Sequence, residues 1–148
     1  MSAADRLSDG YEPDHDIDRE VGRQAELFVA NLIDALGTSA VEIKHDVAAQ
    51  KWGNAYFEIG CNYPKAGWRK TGVYGTKAEL WVHVLPGPES IAIVAPVSLL
   101  RGVVDWHRER GRERRLDRGS HPTVGVSVPL PNLIPDLMAG RQPKRDAA

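Results

Sequence analysis

Cysteine and long apolar runs are what this sequence has least of. Cys61 is the only cysteine among 148 residues, so an internal disulfide is excluded and a reducing, cytoplasmic location is expected. No apolar segment approaches the roughly 20 residues that a membrane-spanning helix needs, so no membrane partner is expected. The first residues are polar and acidic, which is not typical of a signal peptide.

Three frequent signatures of function are also missing. The five histidines are dispersed and do not have the spacing of zinc ligands. The glycines of "GVYGT" are not followed by the Gly-Lys-Ser/Thr of a P-loop. The formal net charge of -1 gives no overall signal for nucleic acid. With 42% hydrophobic and 26% charged residues, the composition is that of a globular domain.

The charges are nevertheless unevenly distributed along the chain. Residues 1–20 hold seven acids against two arginines, whereas residues 101–118 hold seven arginines against four acids. Residues 1–16 lack hydrophobic periodicity and are predicted to form a flexible acidic arm. Residues 139–148 are predicted to be a disordered tail. The remaining 17–138 are expected to form one domain, long enough to bury a hydrophobic core.

Hydrophobic periodicity in the first half of that domain predicts one helix and two strands. Apolar residues at steps of three and four indicate an amphipathic helix from the N-cap Asp18 to a stop at Gly37. The segments "VEIKHD" and "AYFEIGCNY" have the composition of strands, and a Gly-Asn turn between them predicts a hairpin. Residues 64–76 are predicted to be a Gly-rich loop.

The second half is predicted to contain three strands and a long helix. "KAELWVHVLP" and "SIAIVAP" indicate two further strands, and "TVGVSVPL" a last one. Between them, "VSLLRGVVDWHRERGRERR" predicts an amphipathic helix with an arginine-rich end, and "PNLIPDLMAG" a short helix or turn. This order of elements predicts an α/β sandwich with a mixed, mostly antiparallel central sheet flanked by helices.

Two carboxylates stand within or at the end of the apolar strands, which is an unfavourable place for them unless they are paired. Because strand side chains alternate, Asp46 and Glu58 are expected on the same side of the hairpin. Two close, unpaired carboxylates repel each other, and a divalent cation with oxygen ligands, such as magnesium, relieves that repulsion. Glu26, at the edge of the helix stripe, could reach the same cluster. The alternatives are a turn residue for Asp46 and solvent-facing positions for Glu58 and Glu26.

These residues, in this order, resemble the PD-(D/E)XK (restriction-endonuclease-like) nuclease superfamily. Asp46 and Glu58 match the two acids of its motif, and Glu26 matches the helix glutamate of many members. The stretches "GNAYFEI" and "TGVYGTKAELWVHVL" are similar to small phage-type nucleases of this superfamily. The resemblance implies a restriction-endonuclease-like fold and a Mg2+- or Mn2+-dependent endonuclease acting on DNA, branched or junction DNA included. It leaves open whether the protein is a homodimer.

The resemblance fails at the motif lysine, where this chain has Gly60. Lys44, Lys70 and Lys77 are candidates to replace it, and Lys44 is favoured because it alternates onto the side of Asp46. The alternative function is a DNA-binding or accessory protein of the same fold that cuts nothing. His45 and His83 are expected to be packing residues.

Cations near aromatic side chains are the second set of candidate residues. Trp68, Arg69 and Lys70 combine an aromatic ring with positive charge, as in surfaces that contact nucleic acid, although a solvated loop is an equal alternative. The arginine-rich segment 108–118 is either a solvated helix end or a DNA contact. The candidate DNA-binding residues are Lys51, Arg69, Lys70, Lys77, Arg108 and Arg112.

Overall fold

The structure, a computed structural model, describes residues 23, 26, 27, 30, 40–117 and 121–144. The predicted acidic arm 1–16 lies outside these residues, as do Asp18, Gly37 and the tail from 145 onwards. Of the predicted first helix, four positions are described, and all four are helical and exposed: Arg23, Glu26, Leu27 and Ala30. Among the described residues, no helix is both long and apolar enough to span a membrane.

Seven strands and four helices lie within residues 40–117 and 121–144, in addition to the helical positions already named. The strands are β1 (Val41–His45), β2 (Asn54–Tyr63), β3 (Gly67–Lys70), β4 (Leu80–Leu85), β5 (Ile91–Pro96), β6 (Glu113–Leu116) and β7 (Thr123–Pro129). The helices are α1 (Ala49–Trp52), α2 (Gly72–Gly75), α3 (Val97–Glu109) and α4 (Leu130–Met138). The α/β class is therefore confirmed.

The strands form two sheets, where the sequence predicted one. A three-stranded mixed sheet has the order β1-β4-β5, with β1 parallel and β5 antiparallel to β4. A four-stranded antiparallel sheet has the order β3-β2-β7-β6. The predicted hairpin between β1 and β2 is wrong, since the two strands belong to different sheets. Residues 47–53 do not make a tight turn but contain the helical turn α1, ended by Gly53 at φ 69°.

Two segments that were predicted as loop or helix contain strands. Residues 64–76 hold β3 and α2 in place of a Gly-rich loop. The predicted helix through the arginines ends at Glu109, because Gly111 turns the chain at φ 74° and the backbone N–H of Arg112 returns to the carbonyl of His107. The arginine-rich segment then continues as β6, an edge strand paired with β7.

The hydrophobic core lies where α3, α4 and both sheets meet. It contains buried side chains from every one of these elements, among them Phe57, Trp81, Leu100, Val126 and Leu133. A smaller cluster on the three-stranded sheet joins Val82 and Val84 to the partly buried Val41 and Ile43. The core therefore covers one side of both sheets, and α3 is the helix placed over it.

The C-terminal residues extend this packing beyond α4. Inside the interface, buried His107 of α3 and buried Asp136 of α4 form a hydrogen bond of 2.7 Å between Nε2 and Oδ2. Arg141 and Gln142 fall in the segment predicted to be disordered, yet they pack against α3. A Cβ atom added at Gly102 would lie 2.7 Å from the Arg141 carbonyl oxygen and 2.2 Å from Gln142 Nε2.

Candidate functional site

A β-bulge in β2 decides which side chains share a face there. Glu58 stands opposite Gly125 of β7, but Gly60 stands opposite the preceding residue, Val124, so Ile59 is an extra residue. Residues directly opposite in an antiparallel pair point to the same face. Gly60 is thus on the core side with Val124, whereas Glu58 is on the other side. The next side chain on the Glu58 face is Cys61. The predicted face of Tyr56, Glu58 and Gly60 is therefore wrong at Gly60.

Asp46 joins the two sheets through its carboxylate. Oδ2 accepts the backbone N–H of Tyr56 at 2.7 Å and lies 3.1 Å from His83 Nε2. Trp81 Nε1 can only donate, and it lies 3.2 Å from His83 Nδ1, so the proton of His83 is on Nε2 and is donated to Asp46. The Asp46 side chain is 12% exposed. His83 is buried against Phe57, which confirms its packing role.

Glu58 follows Tyr56 by two residues in β2, and its carboxylate is also held by a hydrogen bond. Its Oε1 accepts the hydroxyl proton of Thr71 at 2.5 Å. Thr71 precedes α2, and Gly72 at φ 51° brings that helical turn directly onto β2. A Cβ atom at Gly72 would lie 2.1 Å from the Glu58 carbonyl oxygen, so only glycine fits there.

Tyr56 shares the Glu58 face and covers β7. A Cβ atom at Gly125 would lie 2.3 Å from Tyr56 Cζ, so the absence of a side chain at Gly125 makes room for the ring. Burial raises the pKa of Tyr56, the nearby Thr123 hydroxyl opposes the rise, and the charge of Glu58 adds to it. This face therefore favours the neutral phenol of Tyr56.

The structure does not bring the other predicted site residues to Asp46 and Glu58. Glu26 Oε1 lies 3.6 Å from His45 Nδ1, and His45 alternates to the side of β1 opposite Asp46. Lys44 Nζ lies 2.8 Å from Glu42 Oε1, and Thr76 donates to the other oxygen of Glu42 at 3.2 Å. The ammonium group favoured as the replacement for the motif lysine is thus paired with a different carboxylate.

The predicted magnesium site can be tested against these contacts. Among the described residues, no group of three or more His, Cys, Asp or Glu side chains is arranged to hold a metal ion. Asp46 Oδ1 and Glu58 Oε2 are two carboxylate oxygens that make no hydrogen bond to any described residue. Two carboxylates whose other oxygens are fixed by neighbouring donors are a donor set that Mg2+ uses together with water and phosphate.

An open groove of about 690 Å³ lies on the core side of the four-stranded sheet, beyond the bulge. Its floor contains Gly60 and Val124, and its sides come from β3, α2 and α3. Four of the lining residues are cationic and one is acidic: Arg69, Lys70, Arg101 and Arg108 against Asp105. The groove therefore has an excess of positive charge that the overall charge of the chain conceals.

Strand alternation distinguishes the two cations that β3 contributes. Lys70 stands opposite Gly60 and Trp68 opposite Asn62, so both point to the groove side. Arg69 stands opposite Cys61 and points to the other side, and it approaches Gly60 with its carbonyl oxygen. Of the candidate DNA-binding pair Arg69 and Lys70, the side chain of Lys70 is the one aimed into the groove.

The wall from α2 and α3 is ordered by hydrogen bonds. Arg101 donates through Nε to the Val73 carbonyl at 2.8 Å and through Nη2 to the Thr76 carbonyl at 2.9 Å. Arg108 donates through Nε to Glu113 Oε2 at 2.6 Å and lies over the Tyr74 ring. Both guanidinium groups are therefore oriented by the protein before any ligand arrives.

Tyr74 is the titrating group of this wall, and its hydroxyl donates to Asp105 Oδ1. Burial and then the Asp105 carboxylate raise the pKa of Tyr74 to about 12, although Arg108 opposes the rise. Arg108 in turn has its pKa raised, chiefly by its hydrogen bond to Glu113. Tyr74 consequently remains a neutral hydrogen-bond donor throughout the physiological range.

The remaining candidate DNA-binding residues lie outside the groove lining. Lys51 is exposed on α1 with its ammonium 5.2 Å from the Trp52 ring centroid. Lys77 and Arg112 are exposed, and Lys77 precedes β4 instead of opening it. Sequence analysis missed Arg101, Tyr74 and Asp105. The signal for Arg101 was present, because an arginine interrupts the apolar stretch "SLLRGVV" of the helix.

Comparisons with protein-family models, with curated proteins and with solved structures found no match to this chain.

Proposed function

We propose that the protein binds nucleic acid, DNA in the first place, through the groove between β3, α2 and α3. The observation on which this proposal rests is the composition of the groove. The cationic side chains of Lys70, Arg101 and Arg108, one carboxylate and the rings of Trp68 and Tyr74 line one open channel. Cations that contact phosphate, next to aromatic rings that can contact bases, are the usual composition of nucleic-acid surfaces.

Each part of the groove has a separate role in this proposal. Lys70 supplies a flexible ammonium from the floor side, and Arg101 and Arg108 supply planar guanidinium groups from α3. Because the carbonyls of Val73 and Thr76 fix Arg101, little side-chain entropy is lost when it contacts a phosphate. Asp105 is occupied by the Tyr74 hydroxyl, which reduces its repulsion of a polyanion.

The test is the salt dependence of DNA affinity. Wild-type protein should bind a labelled oligonucleotide with an affinity that falls steeply as salt increases, because bound phosphates release counterions. Lys70→Ala should lower the slope of log K against log salt by about one unit, for one lost phosphate contact. Arg69→Ala should lower it less, since its side chain points to the other face.

The matched control is Lys65→Ala, which removes an exposed lysine in the turn between β2 and β3, outside the groove lining. Its slope should equal that of the wild type. Binding that does not depend on salt, or a slope that Lys65→Ala lowers as much as Lys70→Ala does, would contradict binding through this groove.

A second candidate function is metal-dependent hydrolysis of DNA, as expected for a member of the PD-(D/E)XK superfamily, at the Glu58 face, which is the side of the four-stranded sheet opposite the groove. The observation in its favour is that Asp46, which contacts β2 at Tyr56, and Glu58 of β2 each have one carboxylate oxygen without a hydrogen bond to a described residue. A bound Mg2+ would supply an activated water and charge stabilisation on the phosphate. Tyr56 N–H and His83 orient Asp46, and Thr71 orients Glu58.

Two observations weigh against hydrolysis and favour a protein that binds without cutting. The bulge directs position 60 away from the Glu58 face, so a lysine there would not share the face of the carboxylate. Lys44, the favoured replacement, is paired with Glu42. Incubation with supercoiled, linear and branched DNA in magnesium, manganese or EDTA separates the two functions. Cleavage in either metal that EDTA abolishes supports hydrolysis, and intact DNA in all conditions contradicts it.

A further inference from the structure

Trp68 is an exposed aromatic residue in a position where a sheet normally presents polar side chains. It lies on the edge strand β3, lines the groove, and is 49% exposed. The hydrophobic core formed by the described residues does not include it. A half-exposed indole costs free energy in water that a flat, apolar ligand surface would recover on binding.

The missing side chain at Gly60 lets this ring lie close to the floor of the groove. A Cβ atom at Gly60 would lie 3.8 Å from Trp68 Cε3 and 3.1 Å from Val124 Cγ1, so the ring extends over the glycine. Arg115 of β6 is two strands away from Gly60, yet its guanidinium lies 5.5 Å from the Trp68 ring centroid. The ring thus has a cation on one side and the groove on another.

The dimensions of the groove limit what can enter it. A volume of about 690 Å³ is in the range of sites for single small molecules. That volume suits one or a few unpaired nucleotides, whereas the paired bases of a duplex cannot leave their stack to reach the floor at Gly60 without paying for unpairing. A base that is already unpaired can contact the ring directly.

We propose that the groove recognises unpaired nucleotides, with one base stacked on Trp68 and the adjoining phosphates held by Lys70, Arg101 and Arg108. This inference rests on the proposed function and specifies its ligand as single-stranded nucleic acid. Stacking on an aromatic side chain tolerates any base, so recognition should depend on strandedness more than on sequence.

The experiment measures fluorescence anisotropy with three labelled ligands of equal length: oligothymidylate, an abasic deoxyribose-phosphate strand, and a duplex. Affinities are compared at one salt concentration, and each wild-type titration is repeated at a series of higher salt concentrations. Trp68→Ala should weaken oligothymidylate binding by roughly 5- to 150-fold, the effect of losing one stacked base. Its affinity for the abasic strand, which offers phosphates but no base, should stay within about twofold of wild type. Trp68→Phe should retain most of the oligothymidylate affinity.

Two further variants make the outcome decisive. Trp68→Leu keeps apolar bulk without a ring and should behave like the alanine variant, so a folding defect in Trp68→Ala does not hide the result. Trp52→Ala is the matched control, because Trp52 is 68% exposed and also lies beside a cation, Lys51, but does not line the groove. It should bind all three ligands as the wild type does.

The inference fails if Trp68→Leu binds oligothymidylate as tightly as the wild type, or if it weakens the oligothymidylate and abasic strands equally. It also fails if wild-type protein binds the duplex at least as tightly as the oligothymidylate. In each case, binding of the abasic strand that weakens with salt would leave the proposed function intact. Absence of salt-dependent binding to all three ligands would contradict the proposed function itself.

Discussion

Asp46 Oδ2 accepts the backbone N–H of Tyr56 at 2.7 Å, and this hydrogen bond joins the end of β1 to the edge of β2. The carboxylate thereby accepts a backbone N–H of β2 that points away from β7, the strand paired with β2 at this position. His83 approaches the same oxygen from β4, at 3.1 Å. A residue selected from the sequence as a metal ligand is therefore also a structural link between the two sheets.

Removal of this carboxylate should destabilise the fold. Asp46→Ala leaves the Tyr56 N–H and the His83 Nε2–H without their acceptor, and we expect the free energy of unfolding to fall by on the order of 2 to 4 kcal/mol. Urea unfolding measures the change. Asp117→Ala, which removes an exposed carboxylate paired with Arg115, should cost about 1 kcal/mol or less. Equal effects of the two substitutions would show that Asp46 does not link the sheets.

Gly72 should not tolerate a side chain, for a steric reason and not only a conformational one. Gly72→Ala places a Cβ atom 2.1 Å from the Glu58 carbonyl oxygen, so α2 must move off β2. Gly53 is the matched control, because it also has positive φ but no atom within 4 Å of an added Cβ. We expect Gly53→Ala to cost about 1 to 2 kcal/mol and Gly72→Ala clearly more. Similar melting temperatures for both variants would contradict the close packing of α2 on β2.

Tyr74 should make stability fall at alkaline pH. Its folded-state pKa of about 12 is above the ordinary value of 10.0, so the folded state holds the phenolic proton more tightly. The resulting stabilisation is fully present below pH 10 and is lost as the pH rises through about 12. Urea midpoints measured from pH 9 to 11 should decline less steeply in Tyr74→Phe than in the wild type. Parallel declines would show that the proton of Tyr74 is not held in this way.

Glu58→Gln tests the hydrolysis proposal with little disturbance of the fold. Glutamine keeps an oxygen that can accept the Thr71 hydroxyl, so the melting temperature should change by no more than about 4 °C, the equivalent of roughly 1 kcal/mol. If Glu58 Oε2 holds a metal, cleavage should fall to the level seen with EDTA, because an amide is a far poorer ligand. Glu89→Gln, in the exposed turn between β4 and β5, should cleave as the wild type does. Full activity of Glu58→Gln would remove Glu58 from the site.

Local patterns in the sequence predicted the strands and helices better than they predicted which strands pair. The β4 and β5 pair, the last strand β7 and the start of α3 follow from alternation and from short connections, and all were predicted. The parallel pairing of β1 with β4 was not predicted. The 34 residues between the end of β1 at His45 and the start of β4 at Leu80 make this a long-range pairing, and an amphipathic strand does not encode which edge it joins. The contact of His83 with Asp46 depends on that pairing, so it was hidden as well.

The candidate site was predictable only where its residues are adjacent in the sequence. Trp68 and Lys70 were selected because an aromatic ring and a cation are adjacent in sequence, and both line the groove. Arg101 and Arg108 reach it only because α3 crosses the four-stranded sheet, which is a tertiary relationship. The bulge at Ile59 had one local sign, the glycine that follows it, but a glycine in a strand does not specify where alternation is interrupted.

The extra residue in β2 also affects how this chain should be aligned with any other. On a regular strand, the second residue after an acid lies on the same face as that acid. An alignment without gaps treats Gly60 as this residue relative to Glu58, although Gly60 lies on the opposite face. Placing a one-residue insertion at Ile59 equates Cys61 with it instead. Searches for remote relatives, and grafts of a lysine into this strand, should therefore count by surface and treat Cys61 as the position that adjoins Glu58.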